Sequence, residues 1–105
     1  MDKIPDNIRN SIAKLIEELE NNSIHILKAF LFGSYAKGTY HEFSDIDLAL
    51  VSDAFSGNRF LDKELIRKYI VAINTDISPM PFIPEDFTED NIFAGEIIKE
   101  GIQIQ

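Results

Sequence analysis

Two aspartates separated by one residue are the side chains of this sequence best suited to chemistry. Asp45 and Asp47 lie in the segment DIDLALV, where polar and apolar residues alternate and predict a β-strand from Asp45 to Val51. Because strand residues two apart share a face, both carboxylates are predicted on one face and the apolar residues between them on the other. Carboxylate oxygens suit Mg²⁺, which binds one or two of them together with substrate phosphates. Alone, such a pair more often marks a solvated strand end.

A third carboxylate follows in the segment INTDIS. Its alternation predicts a strand from Asn74 to Ser78, with Asp76 on the polar face and beside the strand of the aspartate pair. Three neighbouring carboxylates are what a site with two metal ions needs to bridge the attacking and leaving oxygens of a transfer reaction. The alternative is an ordinary aspartate in a turn near Pro79.

Gly33 and Ser34 stand where an apolar strand ends and a short helix begins. Glycine allows a phosphate to approach the backbone, and a new helix offers free N–H groups and the positive end of its dipole. The Ser34 hydroxyl can donate to a phosphate oxygen. The competing interpretation is a serine that caps the helix.

Composition limits the remaining choices. The chain has 105 residues, enough for one domain, residues 1–105. It has no cysteine and only His25 and His41 as imidazoles, in different segments, so a zinc site is not expected. The net charge of −8 argues against long nucleic acids as partners, although bound metal ions can still attract phosphates to an acidic protein. Without an apolar leader or membrane-length run, the cytoplasm is the expected location.

The elements around these residues form an α/β pattern. A helical stripe from Ile4 to Leu19 ends at Asn21-Asn22, and a strand is predicted over residues 24–32. A short helix then ends at Gly38, and residues 39–44 are a loop. A helix over residues 62–72 is predicted to bury Leu61, Leu65, Ile66, Tyr69, Ile70 and Ile73.

The last third of the chain is less regular in its pattern. Pro79, Pro81 and Pro84 are predicted to exclude regular structure. A final helix is predicted from Thr88 to Gly101, and the segment IQI is predicted to add an edge strand. The acidic stretch 84–90 is interpreted as a solvated helix start, with partner docking as the alternative. Lys63, Arg67 and Lys68 are interpreted as the solvated face of their helix. The order of elements implies helices on a small sheet.

The spacing of the two motifs carries a resemblance to a known family. Gly33-Ser34, ten residues, and then Asp45-x-Asp47 resemble the nucleotidyltransferase superfamily that includes DNA polymerase beta. The closer similarity is to the minimal nucleotidyltransferases of bacteria and archaea, and it covers residues 29–77 through FGSYAKG, SDIDLAL and NTDI. The resemblance implies a polymerase-beta-like α/β fold: a small mixed sheet of three to four strands flanked by helices.

The resemblance also implies roles for individual residues. Gly33 and Ser34 would hold the β- and γ-phosphates of a nucleoside triphosphate. Asp45 and Asp47 would bind two Mg²⁺ ions, and Asp76 would be the third carboxylate, able to accept a proton from the acceptor hydroxyl. Tyr35 and Lys37 depart from the arginines that many relatives carry there, which puts one phosphate contact in question.

A partner is implied as well. The short members of this family resemble the antitoxin of a two-gene pair whose toxin is a HEPN-domain ribonuclease, and the implied reaction is transfer of AMP from ATP to that toxin. A non-catalytic module that neutralises a partner by contact, or that senses nucleotide, is the main alternative. A small-molecule modifier, such as an aminoglycoside nucleotidyltransferase, is a weaker one. The base, the acceptor and the oligomeric state are not encoded in any motif of the sequence.

Overall fold

The structure, a computed structural model, describes residues 4–105. Four α-helices and four β-strands follow one another in the order α1, β1, α2, β2, α3, β3, α4, β4. Their bounds are α1 Asp6–Asn21, β1 Lys28–Phe32, α2 Ser34–Lys37, β2 Ile46–Val51, α3 Arg59–Ile73, β3 Ile77–Phe82, α4 Ile92–Glu100 and β4 Ile102–Gln103. A short 3-10 turn, Pro84–Asp86, stands between β3 and α4. None of the helices within residues 4–105 has both the length and the apolar character needed to cross a bilayer.

The four strands form one mixed sheet in the order β3-β2-β1-β4. Strand β1 pairs antiparallel with β2 and with β4, whereas β2 and β3 are parallel and are joined through α3. This confirms the predicted small mixed sheet flanked by helices.

Apolar side chains fill both faces of the sheet. On one face, α1 and α3 pack on the larger cluster, to which β2 contributes Ile46, Leu48 and Leu50. On the other face, Phe87 and α4 cover a smaller cluster that contains Ala49 and Val51. The prediction that Ile46, Leu48 and Leu50 share the face opposite Asp47 is therefore confirmed, although the face of Asp47 is also buried further along the strand. The predicted stripe of α1 is also buried: Ile8, Ile12, Leu15, Ile16 and Leu19.

Strand β3 corrects the sequence-based interpretation of the prolines. Pro79 and Pro81 lie inside β3, which was predicted to end at Ser78. The carbonyls of Asp76 and Phe82 accept N–H groups from the β2 side, so the even-numbered backbone groups of β3 face β2 and the odd-numbered ones face outward. The missing N–H groups of Pro79 and Pro81 therefore point away from the sheet. Because β3 is an edge strand, they cost no ladder hydrogen bond.

The buried side of α3 also differs from the prediction. Ile66 and Ile70 are buried as expected, but Leu61 and Leu65 are exposed, and Asp62 is buried instead. The Asp62 carboxylate accepts hydrogen bonds from the N–H groups of Ser56 and Gly57, at 2.7 and 3.0 Å. Helical periodicity shows which residues form an apolar stripe, but the orientation of α3 on the sheet buries a face that only partly overlaps this stripe.

Two helix starts differ from the prediction because of their caps. Asn58 accepts the Leu61 N–H, so α3 begins at Arg59 rather than near Asp62. Asn91 accepts the N–H groups of Phe93 and Ala94, so α4 begins at Ile92 rather than at Thr88.

Candidate active site

The aspartate pair lies where β2 begins. Asp45 immediately precedes the strand and is exposed, and Asp47 is its second residue and is half-buried. Neighbouring residues Ile46 and Leu48 point into the core under α1 and α3, so Asp47 faces the opposite side of the sheet. There it shares a surface with Ser78 of β3, its partner in the strand register, which is also exposed.

Gly33 brings the second motif against the first. Phe32, the last residue of β1, pairs with Asp47 across the sheet, and Gly33 follows it with a φ of +73°. A Cβ placed on Gly33 would overlap the Asp47 carboxylate oxygen. Glycine is therefore required here for two reasons: the backbone conformation, which other residues rarely adopt, and the close approach of a carboxylate. Two motifs ten residues apart in sequence are in contact at the end of the sheet.

Ser34 begins the four-residue helix α2 and is half-buried. The N-cap of this helix is Gly33, which has no side chain to cap it, so the alternative interpretation of Ser34 as the capping serine is wrong. Gly38 ends the helix in the left-handed conformation, as the sequence predicted. The Ser34 side chain thus stands beside the Gly33–Asp47 contact without a structural role at the helix start.

Asp76 lies at the same edge but outside a strand. It sits in the turn before β3, and its carbonyl accepts the Ile46 N–H at 2.8 Å, which fixes it beside the start of β2. Its own N–H donates to the Asn74 side chain at 2.9 Å. The predicted strand position of Asp76 is wrong because β3 begins one residue later. Within residues 4–105, no three carboxylate or histidine groups lie close enough together to hold a metal ion.

The electrostatics of the aspartate pair are uncompensated. Burial, and then the charge of Asp45, raise the pKa of Asp47 above its usual value of 3.8. Among the described residues, no salt bridge or hydrogen bond joins the side chains of Asp45, Asp47 and Asp76 to a cation or donor. Asp45 and Asp47 therefore offer carboxylate oxygens that repel each other, next to the Gly33 backbone. Oxygen ligands of this kind suit a hard cation such as Mg²⁺.

Tyr35 and Lys37, the two departures from an arginine-rich motif, have different surroundings. Tyr35 is buried, and its ring stacks on Tyr40 with centroids 4.4 Å apart. Burial, followed by Tyr40 and Asp76, raises the pKa of Tyr35. Lys37 is exposed and lines a small cleft of about 140 Å³ beside Gly33. Lys37 thus places a positive charge in the cleft beside Gly33, whereas Tyr35 is a core residue.

Sequence reasoning did not single out three residues near this site. Ser78 is paired with Asp47, and Glu96 and Glu100 of α4 line the cleft beside Gly33 and Lys37. The alternation of INTDIS contained Ser78, but nothing in the pattern placed it opposite Asp47. The approach of α4 to α2 depends on tertiary packing. His41, in contrast, stays in the exposed loop, where its Nδ1 accepts the Phe43 N–H.

A mixed sheet with a glycine motif against a strand-borne aspartate pair defines a class of protein. Residues 12–99 match the sequence model of the nucleotidyltransferase domain family, and the chain belongs to that family. Proteins of this family generally use a divalent metal ion.

Individual relatives refine the comparison. The chain is 36% identical over 91 residues to the protein adenylyltransferase MntA of Shewanella oneidensis, an alignment that covers 87% of this chain and 62% of that protein. The chain therefore spans less than two thirds of this relative.

Two solved structures share the fold. One is a toxin-antitoxin with AMP-PNP, with a TM-score of 0.63 and 26% identity, covering 92% of this chain and 72% of that chain. The other is a variant of the toxin-antitoxin MntA-HpeT, with a TM-score of 0.57 and 29% identity, covering 90% of this chain and 68% of that chain.

Proposed function

We propose that this protein transfers AMP from ATP to a hydroxyl group of a partner protein, with Mg²⁺ bound by Asp45 and Asp47. The observation that carries the proposal is the contact between Gly33 and the Asp47 carboxylate, which puts a phosphate-accessible backbone beside a carboxylate pair. ATP as donor is supported by the adenylyltransferase name of the relative and by the AMP-PNP of the similar structure.

Each residue has a distinct task in the proposed reaction. The backbone at Gly33 and the hydroxyl of Ser34 hold the terminal phosphates, and Lys37 adds a positive charge beside them. Asp45 and Asp47 would hold one or two metal ions, which supply positive charge for the phosphates and for the leaving pyrophosphate. The acceptor oxygen forms a bond to the α-phosphorus as the bond to pyrophosphate breaks, and the Asp76 carboxylate takes the hydroxyl proton.

A toxin is the proposed acceptor. The similar structures are toxin-antitoxin proteins, and the family resemblance implies a HEPN-domain ribonuclease as the toxin. The carboxylate edge of the sheet is exposed at Asp45, Asp76 and Ser78, so a protein surface has access to it. A reaction that consumes ATP also fits the cytoplasm.

The test is transfer of label from α-labelled ATP, with Mg²⁺, to the product of the adjacent gene. We expect labelled acceptor with the wild type and a loss of about 10³-fold in rate with Asp45→Asn combined with Asp47→Asn. Asp53→Asn, an exposed aspartate outside the site, is the matched control and should label like the wild type. Label that persists in the double variant would contradict the proposal.

One observation favours the alternative of a non-catalytic binding module. In the part of the chain that the structure describes, no three carboxylate or histidine groups lie close enough together to hold a metal ion. A binding module would neutralise its partner without ATP and would be insensitive to the double variant. Neutralisation that needs both ATP and the aspartates separates the enzyme from the module.

A further inference from the structure

Helix α3 and the start of α4 expose an unusual amount of apolar surface. Six of the nine exposed large apolar side chains within residues 4–105 lie on α3 or at the start of α4. They are Phe60, Leu61, Leu65, Val71, Ile92 and Phe93, with Phe60 72% and Ile92 84% exposed. Contiguous apolar patches on a folded protein usually mark an interaction surface.

Arg59 joins the two groups of apolar residues into one surface. Its guanidinium carbon lies 5.9 Å from the centre of the Phe93 ring and 6.0 Å from that of Phe82, so the start of α3 adjoins the start of α4. Phe60, next to Arg59, also lines an apolar groove against Ile77 and Pro79 of β3.

The two halves of this surface carry opposite charge. The basic half is the exposed side of α3, where four cations and the single carboxylate of Glu64 give a net charge of +3: Arg59, Lys63, Arg67 and Lys68. Asp62 does not contribute outward, because it is buried against Ser56 and Gly57. The acidic half is residues 84–96, which contain five exposed carboxylates and no cation: Glu85, Asp86, Glu89, Asp90 and Glu96. Six of these ten charged residues line an open cleft or groove: Glu89, Asp90 and Glu96 line one with Ile92, and Lys63, Glu64 and Arg67 line the other.

We propose that this surface binds a second copy of the same chain as a two-fold symmetric dimer. In such a dimer the basic half of each copy lies on the acidic half of the other, because a two-fold axis repeats every contact reciprocally. The adjoining starts of α3 and α4 permit this arrangement, since both halves flank the Arg59–Phe93 contact. Phe60 and Phe93, next to Arg59, are buried at its centre, and the charges form its rim.

Charge complementarity favours a second copy over an unrelated partner. Each chain carries a net charge of −8, so two copies repel each other over most of their surfaces. The basic half of α3 is the exception, and its oppositely charged counterpart is present on the same chain. This makes the orientation specific, because only the pairing of unlike halves is attractive.

Sedimentation of the full chain across a range of concentrations tests the dimer. We expect a species of about twice the 12.0 kDa chain mass at micromolar concentrations. Lys63→Glu with Arg67→Glu, and separately Glu89→Lys with Asp90→Lys, should each weaken self-association at least about tenfold. Lys14→Glu with Lys28→Glu, two exposed lysines outside the surface, is the charge-matched control for the first variant and should dimerise like the wild type.

Mixing the two charge-reversed variants gives the decisive result. In the proposed dimer, positions 63 and 67 of one copy face positions 89 and 90 of the other, so each variant alone brings like charges together at these positions. In the mixture, unlike charges meet at these positions in both contacts, so the heterodimer should recover close to wild-type affinity. Circular dichroism checks that both variants are folded. A monomeric wild type, or two folded variants whose mixture does not associate, would overturn the proposal. A monomer that binds the adjacent gene's product through the same residues would assign the surface to that protein instead.

Discussion

The two faces of the sheet differ in how completely they are covered at the start of β2. On the face that α1 and α3 cover, Ile46 and Leu48 are fully buried. On the opposite face the cover of Phe87 and α4 reaches Ala49 and Val51 but not Asp47 or its neighbour Ser78. One strand therefore has a covered face and an open face, and we expect the two faces to respond to substitution in different ways.

The largest expected effect on stability is on the covered face. Leu48→Ala removes a fully buried side chain and should lower the free energy of unfolding by about 2–5 kcal/mol. Ser78→Ala, on the open face, should change it by less than about 0.5 kcal/mol. Urea denaturation of both variants measures the contrast, and equal losses would remove the distinction between the faces.

Gly33 tests the contact between the motifs. Gly33→Ala should cost about 1–3 kcal/mol of stability through backbone strain, and it should also abolish nucleotide transfer because the new Cβ displaces the Asp47 carboxylate. Gly38→Ala is the matched control: its φ is +76°, but nothing lies within 4 Å of its Cβ position. Similar transfer rates in the two variants would show that the Gly33–Asp47 contact has no role in activity.

Asp47 should destabilise the metal-free fold at neutral pH. Its pKa is raised by burial and by Asp45, so its neutral form is favoured in the folded state. The neutral Asp47 carboxyl group therefore stabilises the folded state fully below the usual pKa of 3.8. This stabilisation is lost as the pH rises through the higher pKa of Asp47 in the folded state. Without Mg²⁺, Asp47→Asn should melt above the wild type at pH 7, and the difference in Tm should vanish toward pH 3. A lower Tm for Asp47→Asn at pH 7 would contradict this.

The smallest effect is expected far from the open face, where α1 leads into β1. His25 Nδ1 lies 2.9 Å from the Glu20 carboxylate oxygens, and this hydrogen bond raises the pKa of His25 and lowers that of Glu20. The nearby charge of Asp53 acts on His25 in the same direction. The contribution of His25 to stability is complete below pH 6.5 and is lost as the pH rises through the higher pKa of His25 in the folded state. The contribution of Glu20 is complete above pH 4.5 and is lost as the pH falls through the lower pKa of Glu20 in the folded state.

Thermal melts of His25→Gln test this pair. The deficit in Tm relative to the wild type should be greatest between pH 4.5 and 6.5 and should disappear at alkaline pH. A deficit that is independent of pH would show that His25 acts through packing alone.

Features that depend on a short stretch of sequence, such as the buried face of a strand or the end of a helix, were predicted correctly. The period of two in DIDLALV correctly placed Leu48 and Leu50 in the core, and Gly38 ended α2 as expected. The prolines of β3 were misjudged because an edge position is a property of the whole sheet. Leu61 and Leu65 were predicted buried because periodicity defines a stripe but not what packs on it.

At the site, residue types and spacing indicated both motifs, and the family resemblance implied their roles, but the contact between them was not predictable from pattern. Gly33 and Asp47 meet because β1 and β2 pair in the register Phe32–Asp47, which only the folded sheet determines. Asp76 reached the expected edge through its carbonyl bond to Ile46, but in a turn rather than on a strand. The roles of Gly33, Ser34, Asp45, Asp47 and Asp76 remain predictions.

Calorimetric titration of ATP into the protein, with and without Mg²⁺, tests the central claim most directly. We predict that the wild type and Gly38→Ala bind ATP only when Mg²⁺ is present, and that Gly33→Ala and Asp47→Asn lose this binding. ATP binding that is independent of Mg²⁺, or that is unchanged by Asp47→Asn, would contradict a metal-dependent nucleotide site at the start of β2.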